Sequence, residues 1–334
     1  MLSKQPIVIE VTRGAIVESS HNVVASVVNE AGHPLHSWGN TQFVTFPRSA
    51  IKMLQAIPLV ESGAAEHFQL DDRMIALACA SHRGEKEHLA VLHEWAEKVK
   101  IPESMYVCAP HLPYNEASAH DFIRRNLKPT VFCNNCAGKH SGIITTCMHL
   151  HEDPHGYENP EHPAQKRLRK VLSEATKFDH AKAIHGIDGC GIPTYAMPLQ
   201  NIAHGMATFI DSKLTGARKT AVDRIIKAVT TNPFFISGSG EFATAVIEKT
   251  QGRAIVKGGA EGVMAGFIPA KKVAFALKCS DGAGRATQLA TVQLLVQLGG
   301  MTIDEAKALS QFSQPKVTNW KGDVVGQLRI AKPQ

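Results

Sequence analysis

Pro47-Arg48-Ser49-Ala50-Ile51-Lys52-Met53-Leu54-Gln55-Ala56-Ile57 divides the chain into two textures. Before it, residues 6–38 read as a strand meander. Ile7-Val8-Ile9-Glu10-Val11 and His21-Asn22-Val23-Val24-Ala25-Ser26-Val27-Val28 are β-branched runs, and Ala31-Gly32 is a hairpin signal. After it, from about 49 to 230, the pattern is mainly helical, with Leu89, Leu92 and Trp95, and later Leu168, Val171 and Leu172, at helical spacing. The last third returns to strands at 253–257, 262–266 and 273–277, followed by helices at 283–298 and 303–312 and a strand at about 323–331. Residues 151–160 form the clearest loop. The expected fold is α/β: one antiparallel sheet from the N- and C-terminal strands, flanked by helices, with a mainly helical region inserted at about 49–230 of a single 1–334 unit.

Composition narrows the function classes. Hydrophobic residues make up 44% and charged residues 20% of 334, as in an ordinary globular enzyme. The net charge of +6, from 36 basic and 30 acidic residues, is spread out rather than clustered, and aromatics are only 6%. A nucleic-acid surface needs a basic stripe with aromatic neighbours, so no nucleic-acid partner is expected. No apolar leader or 18-residue apolar span is present, so no membrane partner is expected either. Seven cysteines at uneven spacing do not form a secreted disulfide framework, which fits reduced thiols in the cytoplasm.

The Ser-x-x-Lys of Ser49-Ala50-Ile51-Lys52 places a hydroxyl and an amine one helical turn apart. A lysine can serve as the base of a nucleophilic serine if burial brings its pKa toward neutrality. Lys52 is the only charge in an apolar run, so it reads either as a snorkelling surface lysine or as a buried base. A helix N-terminus would also offer free N–H groups to a developing anion. The second occurrence, Ser313-Gln314-Pro315-Lys316, has a proline inside the spacing and reads as chance. Ser81 ends the apolar run 74–80, and Lys257-Gly258-Gly259 ends a strand whose glycines leave the backbone open to a ligand. Ser-x-x-Lys, then Ser, then Lys-x-Gly is the order of the penicillin-recognising acyl hydrolases, although Ser-Asp-Asn is missing and Lys257-Gly258-Gly259 replaces Lys-Thr-Gly. Alone, Lys257 reads as a solvated strand-end charge.

Cys133-Asn134-Asn135-Cys136-Ala137-Gly138-Lys139-His140 is the most unusual segment. Its Cys-x-x-Cys admits a redox pair, half a zinc site or coincidence. His140 and Cys190, in Asp188-Gly189-Cys190-Gly191, are further candidate ligands. No phosphate loop is present, because Gly-Lys-His stands where Gly-Lys-Ser/Thr would.

Taken together, Pro47–Lys52, Ser81-His82, Cys133–His140, Asp188–Gly191 and Lys257–Gly262 resemble, in order, the rhizobial-type (class 3) L-asparaginases, the asparaginase II family. The resemblance spans nearly the whole chain. It implies a serine β-lactamase/glutaminase-like fold, a homodimer and two Ser–Lys tandems, Ser49 with Lys52 and Ser81 with Lys257, Ser49 being the nucleophile. It also implies zinc held by Cys136, Lys139 and Cys190. A lysine ligand must be deprotonated, and spacing alone favours Cys133 or His140.

On this reading the substrate is L-asparagine, hydrolysed to L-aspartate and ammonia. Arg48 and Asp188 are candidates to hold its α-carboxylate and α-amino groups, because a zwitterion needs both signs of charge. A structural ion pair explains either residue equally well. The rival readings are the same chemistry on glutamine or a β-lactam, and a non-catalytic zinc- or thiol-sensing protein built on the cysteines.

Overall fold

The computed structural model describes residues 2–331, with side chains from Ser3. The chain divides into two compact units. One comprises residues 1–50, 197–212 and 245–334; the other comprises 51–196 and 213–244.

The first unit is built on a sheet. Its main strands are β1 (Ile7–Arg13), β2 (Ile16–Asn29), β3 (Pro34–Trp38), β4 (Ile255–Gly259), β5 (Val263–Ile268), β6 (Val273–Cys279) and β7 (Val324–Ile330). The order β7-β1-β2-β6-β5-β4 places the N-terminal hairpin between strands from the C-terminal third, and β3 adds to β2. These pairings are all antiparallel, as the sequence pattern predicts. Every residue of β5 and β6 is buried. Both faces of the sheet centre are therefore covered, which explains why these strands read as continuous apolar runs rather than alternating ones. Helices Leu199–Ala207 and Gly284–Gln297 pack on β6, and Phe209 stacks on Phe267 at 5.1 Å.

The second unit is helical. Its central helices are α1 (Asp72–Ala78), α2 (Lys86–Val99) and α3 (Ala137–His149). Asp71 caps α1 by accepting from the backbone N–H groups of Arg73 and Met74. α3 is buried almost all round, so its own sequence shows little amphipathic signal. Gly138 in its first turn explains the approach to α1: a Cβ there would stand 2.1 Å from the Leu77 carbonyl oxygen. The expected helices at 85–99 and 163–176 are present.

The helical region is less uniform than its pattern. Residues 197–212 return to the sheet unit before helix Gly216–Thr231 resumes the helical one. His185–Ile187 and Pro193–Tyr195 form a small hairpin around Asp188-Gly189-Cys190-Gly191. The expected single helix from Ser49 onward is instead a 3-10 turn, Arg48–Ile51, followed by short helices Lys52–Gln55 and Ile57–Glu61.

Candidate active site

In the helical unit, α1 runs through Cys79 and Ala80 to Ser81, whose N–H donates to the Ile236 carbonyl at 3.0 Å. The next residue is tied to the cysteine segment: His82 N–H donates to the Asn135 carbonyl at 3.2 Å. Asn134 accepts from Cys136 N–H at 3.0 Å through its side-chain oxygen, and its amide donates to the Ala109 carbonyl at 2.7 Å. The paired asparagines thus fix the entry into α3 and deliver Cys136 to the end of α1.

Lys52 lies where these segments meet and is fully buried. Its Nζ donates to the Ala80 carbonyl at 2.5 Å, Ser81 Oγ at 3.2 Å and Cys136 Sγ at 3.0 Å. Lys52 is therefore buried rather than snorkelling to the surface. Its hydroxyl partner within this unit is Ser81, which the expected tandems had assigned to Lys257.

The other predicted metal residues form the same cluster. Lys139 Nζ donates to Cys190 Sγ at 3.0 Å, and the Cys190 thiol is hydrogen-bonded to Cys136. The Cys190 hydrogen bond holds the Cys136 thiol well below its ordinary range. Lys52 and Lys139 act in the same direction, against the opposing effect of burial. Cys190 is raised correspondingly, by its bond to Cys136 and by burial. Burial works to lower the pKa of Lys139, yet the neighbouring sulfurs and Asp188 outweigh it and raise the amine above its ordinary value. Asp188 lies in the hairpin turn, where its carbonyl accepts from Gly191 N–H at 2.8 Å.

Three soft or borderline donors, two sulfurs and an amine, therefore converge in a buried place, a set that suits zinc. The raised Lys139 amine favours its protonated form, so a metal bound there would have to displace a proton. His140, favoured by spacing, is fully buried; its Nδ1 meets the Tyr157 hydroxyl at 2.5 Å, and that hydroxyl accepts from Val107 N–H at 3.1 Å. Cys133 sits on the preceding turn Val131–Cys133, where burial raises its thiol and Thr130 partners it.

The remaining predicted residues lie in the sheet unit. Arg48 holds φ at 49°, a left-handed conformation that is costly for a bulky residue and directly precedes Ser49. Both side chains are half-buried. Ala50 N–H donates to the Pro47 carbonyl at 3.1 Å and closes the turn. The end of β4 lies against that turn: a Cβ on Gly259 would stand 2.9 Å from the Pro47 carbonyl oxygen and 3.0 Å from the Ala50 nitrogen. Lys257, two residues earlier on the same face of β4, is 1% exposed and donates to the Gly258 carbonyl at 2.7 Å. The solvated strand-end reading of Lys257 does not hold.

The chain matches the L-asparaginase II family over residues 9–330. It belongs to that family. No curated protein matches it. Among solved structures it is similar to a protein designated Mglu, with 13% identity, a TM-score of 0.48, and 84% of this chain and 68% of the other covered. It is also similar to a β-lactamase from Mycobacterium bovis, with 13% identity, a TM-score of 0.44 and 84% and 95% covered. A third likeness is to a putative β-lactamase from Bacteroides dorei, with 13% identity, a TM-score of 0.41 and 77% and 84% covered. Likeness this remote speaks to neither the substrate nor the residue roles of this L-asparaginase II family member.

Sequence reasoning missed the supporting shell. The segment from Tyr106 to Asn115 lies alongside both the cysteine cluster and Ser81. The Tyr106 hydroxyl meets Ser141 Oγ at 2.8 Å, His111 accepts from Asn135 N–H at 3.2 Å, and Asn115 N–H donates to the Arg83 carbonyl at 2.8 Å. The Arg83 guanidinium stands over the Tyr114 ring at 5.6 Å. Scattered histidines and tyrosines carry no spacing signal, so only the fold could gather them. Among the described residues no helix is long and apolar enough to cross a membrane.

Proposed function

We propose that the protein hydrolyses L-asparagine to L-aspartate and ammonia through a serine acyl-enzyme. Family membership supports asparaginase activity in general. The observation that carries the mechanism is the fully buried Lys52 amine within hydrogen-bond reach of Ser81 Oγ. Ser49 Oγ attacks the side-chain carboxamide carbon as its proton passes to Lys52, Ser81 lying in the relay. The C–N bond then breaks, and the leaving amine takes that proton as ammonia. Water attacks the resulting ester; its carbonyl–Oγ bond breaks, and Ser49 regains a proton. Lys257 orients the hydroxyls of this relay, while Arg48 and Asp188 offer opposite charges to the α-carboxylate and α-amino groups.

The direct contact of Lys52 with Ser81 supports a second reading, in which Ser81 is the nucleophile. Trapping the ester by acid quench and locating the modified peptide separates the two serines. Ammonia release from purified protein tests the activity itself, with glutamine and a β-lactam assayed alongside. A protein inactive on asparagine would leave the thiol- or zinc-sensing alternative in possession of the site.

Cys136, Lys139 and Cys190 would hold the zinc, which when bound supplies a fixed positive charge at the polar end of the site. Two further proposals rest on less. Seven free, buried cysteines support a reducing, cytoplasmic setting, and the resemblance alone supports a homodimer, which sedimentation equilibrium tests.

A further inference from the structure

β6 carries a second buried lysine that the proposed mechanism does not use. Lys278 is 8% exposed, and its amine donates to the Glu261 carbonyl at 2.7 Å and to the Cys279 carbonyl at 2.5 Å. Burial lowers its pKa, and the nearby Cys279, Glu261 and Asp281 act against that effect. A charged side chain is seldom buried on a central strand only to fill space, since leucine or methionine does so without the desolvation cost.

Glu261 lies in the turn Ala260-Glu261-Gly262 joining β4 to β5, where Gly259 pairs with Val263. Its φ is +61° and that of Gly262 is +64°, so a glutamate occupies a conformation it seldom adopts. Three donors from outside the turn hold it. Lys278 takes the Glu261 carbonyl; Cys279 N–H takes the Gly262 carbonyl at 2.9 Å, and Thr287 Oγ1 donates to that same carbonyl at 2.9 Å. The strand end thus held is the one whose Gly259 packs against Pro47 and Ala50, either side of Ser49, and which carries Lys257.

The foundation under Lys278 is itself braced. Asp281 accepts from the Cys279 thiol at 2.9 Å and from Ala283 N–H at 3.0 Å, and it meets His21 Nδ1 at 2.5 Å. Arg285 faces the other nitrogen of that imidazole at 3.2 Å. His21, Cys279 and Asp281 have a metal-like composition. Yet their protons are already shared among themselves, and a guanidinium blocks the histidine. The group reads as an anchor for the end of β6.

We infer that Lys278 is a positioning residue for Ser49 and Lys257: by holding the Glu261 turn it keeps the end of β4, which carries Lys257, against the Ser49 turn. The inference rests on the proposed roles of Ser49 and Lys257. When the turn loosens, Gly259 retreats from the Pro47 carbonyl and Lys257 goes with it. Displacements of about 1 Å at a reacting pair cost on the order of a hundredfold in rate.

The test compares asparagine turnover by wild type, Lys278→Met, Lys278→Arg, Thr287→Val and Lys257→Ala, each assayed well below its own melting temperature. Lys278→Met is expected to lose about ten- to hundredfold in kcat with KM within about threefold of wild type, because the groups that bind substrate are untouched. Lys278→Arg, which can still donate to Glu261, is expected to recover most of that loss. Thr287→Val removes one bond from the same turn with little change of shape; it shows a smaller loss of the same kind and serves if Lys278→Met does not fold. Wild-type kcat in Lys278→Met and Thr287→Val beside an inactive Lys257→Ala overturns the inference alone. Wild-type kcat in Lys257→Ala, or no turnover by the wild type, sinks the underlying reading and the inference with it.

Discussion

Lys52 donates to Ser81 Oγ at 3.2 Å across 29 residues of sequence, placing the amine of the Ser-x-x-Lys motif beside a serine outside it. The same amine reaches Cys136 Sγ at 3.0 Å, so the general base of the proposed hydrolysis and a proposed metal ligand are neighbours. Changes at either group should therefore be felt at the other.

Lys52→Met is expected to reduce kcat about a thousandfold, the usual scale for a general base. Ser49→Ala should do the same, and Ser49→Ala/Lys52→Met should lose little more than either alone, because the two act as one unit. Ammonia release under saturating asparagine measures all three. Near-wild-type kcat in Ser49→Ala with a dead Ser81→Ala would move the nucleophile to Ser81.

Ser313→Ala and Lys316→Ala are expected to be nearly silent. The short helix Ser310–Ser313 ends at the serine, whose hydroxyl donates to the Ala306 carbonyl at 2.6 Å, while Lys316 begins an exposed strand. The two side chains therefore do not share one helical turn. A hundredfold loss of kcat in either folded variant would contradict this.

The purified protein should carry zinc that Cys136→Ser and Cys190→Ser each lose, as measured by elemental analysis. The proton on Lys139 competes with the metal, and the raised pKa of that amine keeps the competition in force throughout the neutral range. Zinc affinity should accordingly climb as pH rises, and more steeply than in Lys139→Met, where only the raised Cys190 thiol still competes for a proton; equal slopes in the two proteins would show that Lys139 is not a ligand. Full zinc content in both serine variants would place any metal elsewhere.

Stability should fall with acid in a way traceable to His82 and His88, whose rings stack at 5.2 Å. Burial lowers the pKa of both below 6.5, and His88, Lys52 and His111 repel a proton on His82. The unfolded chain takes up these protons near 6.5 while the folded chain refuses them. Their contribution is thus complete above pH 6.5 and lost as pH falls toward the folded values, at about 1.4 kcal/mol per pH unit for each histidine. Urea midpoints at pH 7.5, 6.5 and 5.5 should show a shallower acid loss in His88→Gln; an unchanged slope would assign the loss to other groups.

The sheet and the longer helices were legible because their periods are strong: β-branched runs mark β1 and β2, and Leu89, Leu92 and Trp95 mark α2. The Ser49 turn was less legible. Nothing in Pro47-Arg48-Ser49 announces a left-handed arginine, so the motif read as the head of one α-helix rather than a 3-10 turn followed by two short helices. The strands 185–187 and 193–195, three residues each, were too short for any period to show. Gly138 could be read only as part of a motif. Its reason is the Leu77 carbonyl, which comes from a segment 61 positions away and leaves a side chain no room. The Lys52–Ser81–Cys136 association is likewise a product of packing, for which a linear string carries no mark.

The strand pairing also sets a schedule for the nascent chain. β1, β2 and β3 leave the ribosome early, yet β2 finds its partner β6 only once Val273–Cys279 has been made, and β1 finds β7 only after Val324–Ile330. Until then an apolar hairpin with two open edges must be kept from pairing with other chains. Most of the helical unit, by contrast, is one continuous stretch, residues 51–196, that can begin to collapse in the meantime. Loop closure over more than 200 residues makes completion of the sheet the slow event. Overproduction that outruns this step should therefore yield aggregates seeded by residues 7–38.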